Sequence, residues 1–347
     1  MPTPAARVSP EELAILRSVL YGALFEYPLT LGELHQTLTG AALSEAGILA
    51  AYEASGRLAA WVEYREGHFF PAGRADWIAN RRDREARSRA LLDANRGVLQ
   101  VIAMLPFVRL LALSGSLAVQ NADRRADLDL FIVTRGRRVW SVTVAVILLA
   151  KLMRRRHLVC ANFVMTDTDL AVEQHDLFTA NQIIHLRPLT GESTYRAFLA
   201  ANPFVGVWYP NFRPEARAAF PFGIRGLPPW LRSVAETLLA VPSWAIEACC
   251  RHAYGAYLRR RAASWPSPDQ VRLRPDYLKL HTRSHRKTIL DRFEQSVANV
   301  LGHRPPRVPG DPDGARPVSS RAANHEAREG HEGSPDFGVR PVAVRPS

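Results

Sequence analysis

The sequence predicts an α+β protein, and three observations carry that expectation. Apolar residues near the start recur at helical spacing, strand and helix patterns alternate from Val101, and the chain beyond about residue 195 reads as mostly helical. With 347 residues, 47% of them apolar and 22% charged, it has the length and composition for more than one folded domain.

Residues 10–73 read as a helical unit closed by a hairpin. Leu13, Leu16, Leu20 and Leu24 line one face of a first helix over 11–25. Tyr27-Pro28 breaks it, because proline disfavours helix at the preceding residue. Thr30-Leu31-Gly32-Glu33 is a capping box for a second helix through Leu38, and Ser44 can cap a third that ends near Gly56. Residues 58–64, a turn at Glu66-Gly67 and residues 68–71 then form two strands. Three helices and a hairpin make a winged-helix-like pattern. Its third helix carries Glu45 and Glu53 and no Lys or Arg. A DNA-reading helix sits among phosphates and reads base edges through Arg, Lys, Asn or Gln. The pattern therefore disfavours DNA and favours a protein partner.

Residues 74–98 form a charged connector helix, with Arg81, Arg82, Asp83, Arg84, Glu85, Arg87 and Arg89 read as a solvated face. Residues 99–192 carry the strand and helix alternation. Residues 193–302 read as a helical C-terminal region interrupted by prolines, ending in an amphipathic helix over 275–301. Residues 303–347 hold too few apolar residues to offset their ordering entropy and are expected to be a disordered tail.

The net charge of +12 favours an anionic partner, although the basic residues are almost all Arg and are spread along the chain. Cys160, Cys249 and Cys250 fit neither a disulfide scaffold nor a zinc knuckle, so reduced thiols in the cytoplasm are expected. Residues 1–9 lack the pattern of a signal peptide. The longest apolar stretch, 139–150, falls well short of the roughly 20 residues that span a bilayer. It reads as a buried helix, and no membrane association is expected.

The chemistry concentrates in residues 107–134. An apolar strand over 108–113 runs into Ser114-Gly115-Ser116, small residues that let backbone amides and hydroxyls approach an anion. After a polar loop, Asp127 and Asp129 alternate with Leu128 and Leu130 in a second strand, so both carboxylates share one face. Two such carboxylates repel unless a cation lies between them. Hard oxygen ligands suit Mg²⁺, which completes its shell with water and phosphate oxygens.

These residues resemble the DNA polymerase beta-like nucleotidyltransferase superfamily: Leu113-Ser114-Gly115-Ser116, then Asp127-Leu128-Asp129-Leu130 within a strand. The resemblance implies a small mixed sheet flanked by helices, and Mg²⁺ (or Mn²⁺) as cofactor. It also implies transfer of a nucleoside monophosphate from a nucleoside triphosphate to a hydroxyl acceptor. It places Ser114, Gly115 and Ser116 at the nucleotide and Asp127 and Asp129 at the metal as catalytic residues. Active members usually carry a third carboxylate on a later strand. Here the best later strand, 157–165, offers only Asn162 as a polar interior residue. Asn162 is thus the weaker candidate ligand, beside a reading as a buried amide bonded to backbone. Asp167, Asp169 and Glu173 (in a short strand over 170–173) are the other candidates. The departure opens a second reading, a catalytically degenerate nucleotide-binding or docking scaffold.

Weaker signals remain. Arg124 and Arg125 lie in the loop between the two motif halves. Lys279, His281, Arg283, His285, Arg286 and Lys287 form a basic cluster expected on the last helix. Cys160 reads as packing, and Trp208, Tyr209 and Asn211 as core or pocket wall.

Overall fold

The computed structural model describes residues 8–216, 220–280 and 285–302, and over these the chain is a mixed α+β protein. They all belong to one of two units, Met1–Gly314; the other, Ala315–Ser347, lies outside the described residues, as does the expected disordered tail.

Local capping sets the first elements. Ser9 opens α1 (Pro10–Ala23): its Oγ accepts from Glu12 N at 3.1 Å, and Glu12 Oε2 accepts from Ser9 N at 2.7 Å. After β1 (Leu29–Thr30), the same reciprocal pair between Thr30 and Glu33 opens α2 (Leu31–Gln36), and Ser44 caps α3 (Glu45–Ala54). Ser55 then caps a further helix, α4 (Gly56–Trp61). This corrects the strand expected from residue 58, because the capped helix consumes four of its residues. β2 (Val62–Arg65) begins only at Val62 and turns through Glu66 and Gly67, both at positive φ (50° and 76°), into β3 (His68–Pro71). That two-residue turn matches the twist of the hairpin. β1 adds to the far edge of β3, giving a three-stranded antiparallel sheet in the order β1-β3-β2.

The charged connector is two helices, α5 (Asp76–Ala94) and α6 (Arg96–Ala103), and its charges are not all solvated. Arg81 is buried, with its guanidinium on Glu33 (2.7 and 2.8 Å), Glu85 (2.8 Å) and the Pro28 carbonyl (2.5 Å). Arg84 pairs with Glu26, and Arg87 donates to the Ala122 carbonyl at 2.8 Å. One face of α5 therefore clamps the N-terminal unit to the loop around Ala122. A run of charges in sequence does not reveal which of them find partners.

The following elements are β4 (Val108–Leu113), α7 (Gly115–Ala118), β5 (Leu128–Thr134), α8 (Val139–Leu152), β6 (Val159–Thr166), α9 (Leu177–His185), β7 (Arg187–Thr190), α10 (Glu192–Ala200), α11 (Phe204–Trp208), α12 (Pro229–Leu238), α13 (Ala240–Arg261), β8 (Arg272–Leu273), β9 (Tyr277–Lys279) and α14 (Arg286–Gly302). They include a six-stranded mixed sheet in the order β7-β4-β5-β6-β9-β8. β5 and β6 are parallel, joined by α8, and the other pairs are antiparallel. The β8–β9 hairpin corrects the helix expected from residue 275. Pro275 lies in the turn between β8 and β9, and Leu278 finds a buried place opposite Val164 in the sheet. Lys279 is consequently in a strand and shares no helix face with Arg286 and Lys287; His281 and Arg283 lie outside the described residues.

Alternation along β5 sorts its side chains onto two cores. Leu128, Leu130 and Ile132 pack with Val139, Val142 and Val146 of α8. Phe131 and Val133 face the other way, into a core that also contains Ile15, Leu16, Leu34 and Ile48 of the N-terminal unit. The C-terminal helices are fastened by carboxylates. Glu236 of α12 takes Arg109 at 2.7 and 2.7 Å, Arg135 at 2.5 Å and the Phe107 amide at 3.0 Å. Residues 208–213 strap the N-terminal unit down: Trp208 O accepts from Gly40 N, Asn211 donates to Leu43 O, and Arg213 N to Gln36 Oε1. Tyr209 is buried and bonded to Asn181, so this segment is core and strap. Among the described residues no helix is long and apolar enough to cross a membrane.

Candidate functional site

The Gly-Ser turn and the carboxylate pair meet at one end of the β4–β5 pair. Ser114 N donates to Asp129 O at 2.9 Å, and the chain then turns at Gly115, where φ is +64°. Ser116 O accepts from Asn121 N at 2.8 Å and closes the loop. Asp127 immediately precedes β5 and Asp129 is its second residue, two apart and on one face. Gly115 packs directly on Asp129. A Cβ built there would overlap Asp129 Oδ2 and lie 3.3 Å from its Cγ, so only glycine fits.

β6 supplies the other wall. In the parallel register Asp129 pairs with Cys160 and Phe131 with Phe163, so three steps on β6 oppose two on β5. Cys160 stands opposite Asp129 just before that bulge and Asn162 lies within it. Cys160 Sγ donates to Asp127 Oδ2 at 3.0 Å, and Asn162 Nδ2 donates to Asp129 Oδ1. Leu280 N holds the bulge from the far side through the Asn162 carbonyl at 2.8 Å. Asp127, Asp129 and Cys160 each place one ligand atom within 4.8 Å of the others.

Burial, with the Asp127 carboxylate as the second cause, pushes Asp129 well above the usual carboxylate range. Burial and then the two aspartates push the Cys160 thiol far up, which keeps the proton it donates to Asp127. The other carboxylates weighed as a third ligand are engaged elsewhere. Asp167 accepts from Gly136 N at 2.8 Å and Asp169 from Ala171 N at 3.2 Å. Glu173 pairs with Arg272 at 3.0 Å and Arg274 at 2.6 Å, and residues 170–173 are not a strand. Asn162 turns its amide nitrogen, not its oxygen, to Asp129 and acts here as an orienting donor. Cys160, expected to be packing, is the residue that stands third in the cluster. Its two-residue spacing from Asn162 is the available signal, and the β5–β6 register that sets it opposite Asp129 is not legible in sequence.

Of the basic residues, Arg124 and Arg125 are exposed on the loop, and Arg125 N bonds Asp123 Oδ1 at 2.8 Å. Lys279 pairs in register with Phe163, whose ring stacks on Phe131, so it lies on the sheet face that carries Asp129. Its Nζ donates to Gln174 Oε1 at 2.7 Å; burial, then Arg272 and Arg286, lower it to about 8.

Two facing carboxylates are a donor set for a divalent cation. Their oxygens suit Mg²⁺ or Mn²⁺, whereas the Cys160 thiol is a softer donor than either prefers. The pair therefore fits such an ion with the thiol as a neighbour. Compared with protein-family models, curated proteins and solved structures, the chain matches none of them.

Proposed function

We propose that the chain is a divalent-metal-dependent nucleotidyltransferase, moving a nucleoside monophosphate from a nucleoside triphosphate to a hydroxyl acceptor. The acceptor oxygen forms a bond to the α-phosphorus, and the bond from that phosphorus to the pyrophosphate oxygen breaks. The observation that carries this reading is the juxtaposition of Gly115 with Asp129 across the β4–β5 end. Asp127 and Asp129 would hold Mg²⁺ or Mn²⁺, which supplies charge neutralisation of the phosphates when bound. The backbone and hydroxyls of Ser114, Gly115 and Ser116 lie beside the pair and can hold phosphate oxygens, and one carboxylate can take the acceptor proton. The mixed sheet flanked by helices accords with the nucleotidyltransferase fold this reading implies, and residues 10–73 with a winged-helix-like unit. On that unit α3 exposes Glu45 and Glu53, which suits a protein partner better than DNA.

A second reading has its own support. β6 presents Cys160 and Asn162 where a third carboxylate would complete the metal site, and both are bonded to the aspartates. A scaffold that binds nucleotide without turnover would tolerate that exchange.

The deciding experiment is calorimetric titration of each nucleoside triphosphate with Mg²⁺, with Mn²⁺ and with EDTA, on wild type and Asp127→Ala, followed by a transfer screen with labelled nucleotide. Binding that requires metal and Asp127, with label transferred, supports the enzyme. The same binding without transfer selects the scaffold. No binding by any triphosphate overturns both.

A further inference from the structure

α12 and the first half of α13 turn apolar side chains to solvent. Trp230 is 70% exposed, Leu238 74%, Val241 83% and Trp244 72%. Trp230, Val234 and Leu238 recur every four residues on one face of α12, and Val241 and Trp244 follow on α13. Large apolar side chains concentrated at the surface in one stretch of chain mark an interaction site. The carboxylates of this segment point away from it: Glu236 is buried on Arg109 and Arg135, and Glu247 is buried on the start of α8. What remains outward on α12 and the first half of α13 is apolar apart from neutral polar residues such as Ser233 and Thr237, and it carries no exposed carboxylate. Further along α13, Arg251, His252 and Arg259, with Arg274 of the β8–β9 hairpin (which also pairs with Glu173), line a cavity of about 500 Å³, and among the described residues no carboxylate lines it. Ala248 and Arg251 stand four and seven residues beyond Trp244, so the cavity lies on the helix face that carries the tryptophan.

We propose that α12 and α13 form a peripheral docking surface for an anionic phospholipid bilayer, with Trp230 and Trp244 at the acyl boundary and a headgroup phosphate in the Arg251–Arg259 cavity. This stands independently of the nucleotide reading. Tryptophan concentrates at the membrane–water interface, and helices with Trp and Leu on one side and Arg beside them lie in that plane. An anionic leaflet attracts the arginines. Charge complementarity selects this occupant over a second copy of the chain, which would bring the same arginines face to face. The expectation of no membrane association rested on the lack of a spanning segment, and adsorption in the plane requires none.

The test is flotation of the full chain with phosphatidylcholine vesicles and with phosphatidylcholine–phosphatidylserine vesicles. It compares wild type with the double variants Trp230→Ser/Trp244→Ser and Arg251→Gln/Arg259→Gln. Wild type should float with the anionic vesicles only, and each double variant should reduce the bound fraction roughly tenfold at an unchanged thermal midpoint. Absence of wild-type flotation with phosphatidylserine overturns the proposal, as does equal flotation by the tryptophan variant. A wild-type dimer that the tryptophan substitutions dissolve, without vesicle binding, would assign the face to self-association instead. Saturable binding of free glycerophosphoserine without vesicle binding would assign the cavity to a soluble ligand.

Discussion

Gly115 lies against the carboxylate of Asp129 so closely that no side chain fits between the turn after β4 and the start of β5. The two halves of the motif are thus one packed unit, joined also by the bond from Ser114 N to Asp129 O at 2.9 Å. Gly115→Ala forces a Cβ onto Asp129 Oδ2 at a positive φ of 64°. It should cost about 1–3 kcal/mol of stability and abolish nucleotide binding even though both aspartates remain. Denaturant unfolding and calorimetry on the same preparation check both. A variant that binds triphosphate as wild type does would separate the turn from the site.

Cys160 is the neighbour that distinguishes this site from one with three carboxylates. In Cys160→Asp a third carboxylate would join Asp127 and Asp129 in a buried place, where the charges repel. Without divalent ions the variant should be less stable by roughly 1–3 kcal/mol. Mg²⁺ or Mn²⁺ should restore its melting temperature, since an ion that binds only the folded chain stabilises it by mass action. A melting curve indifferent to either ion would show that the cluster does not hold a cation.

Sequence pattern revealed what depends on neighbours a few residues apart. The capping pairs Ser9–Glu12 and Thr30–Glu33 follow from spacings of three residues, and the turn at Glu66-Gly67 from its own dihedral needs. Asp127 and Asp129 on one face follow from the period of a strand. The rest depends on distant partners. Ser55, beside the expected end of the third helix near Gly56, starts another helix. The amphipathic pattern over 275–301 predicts a helix at Lys279, yet Leu278 is drawn into the sheet opposite Val164. Cys160 touches Asp127 because β6 lies parallel to β5 with Asp129 opposite Cys160, a pairing that no local pattern encodes.

Glu236 should make the chain acid-sensitive. Burial alone would raise its pKa, but the hydrogen bonds from Arg109 and Arg135 lower it to about 2, and its side chain is only 3% exposed. A carboxylate held below its ordinary value of 4.5 stabilises the fold above that pH, and the contribution fades as pH falls toward 2. The stake is on the order of 3 kcal/mol. Glu236→Gln should lose a comparable amount at neutral pH and flatten the acid limb of a stability-versus-pH curve. An unchanged acid limb would move the sensitivity to Glu33, which Arg81 also holds near 2 against the opposing effect of burial.

α8 has no cap of its own, and Glu247 of α13 supplies one from outside the helix. Its two carboxylate oxygens accept from Trp140 N at 3.0 Å, Ser141 N at 2.7 Å and Ser141 Oγ at 2.6 Å. Negative charge there also complements the helix dipole. Glu247→Ala leaves two buried or half-buried amides without that acceptor and should cost about 1–2 kcal/mol. Glu247→Gln keeps one acceptor oxygen and should cost less. Because α8 joins β5 to β6, the loss should reach the site through the bulge at Asn162. Hydrogen exchange checks this: the first-turn amides of α8 should lose protection in Glu247→Ala, and those of β6 should follow. Loss confined to α8 would show that the bulge is held by Leu280 alone.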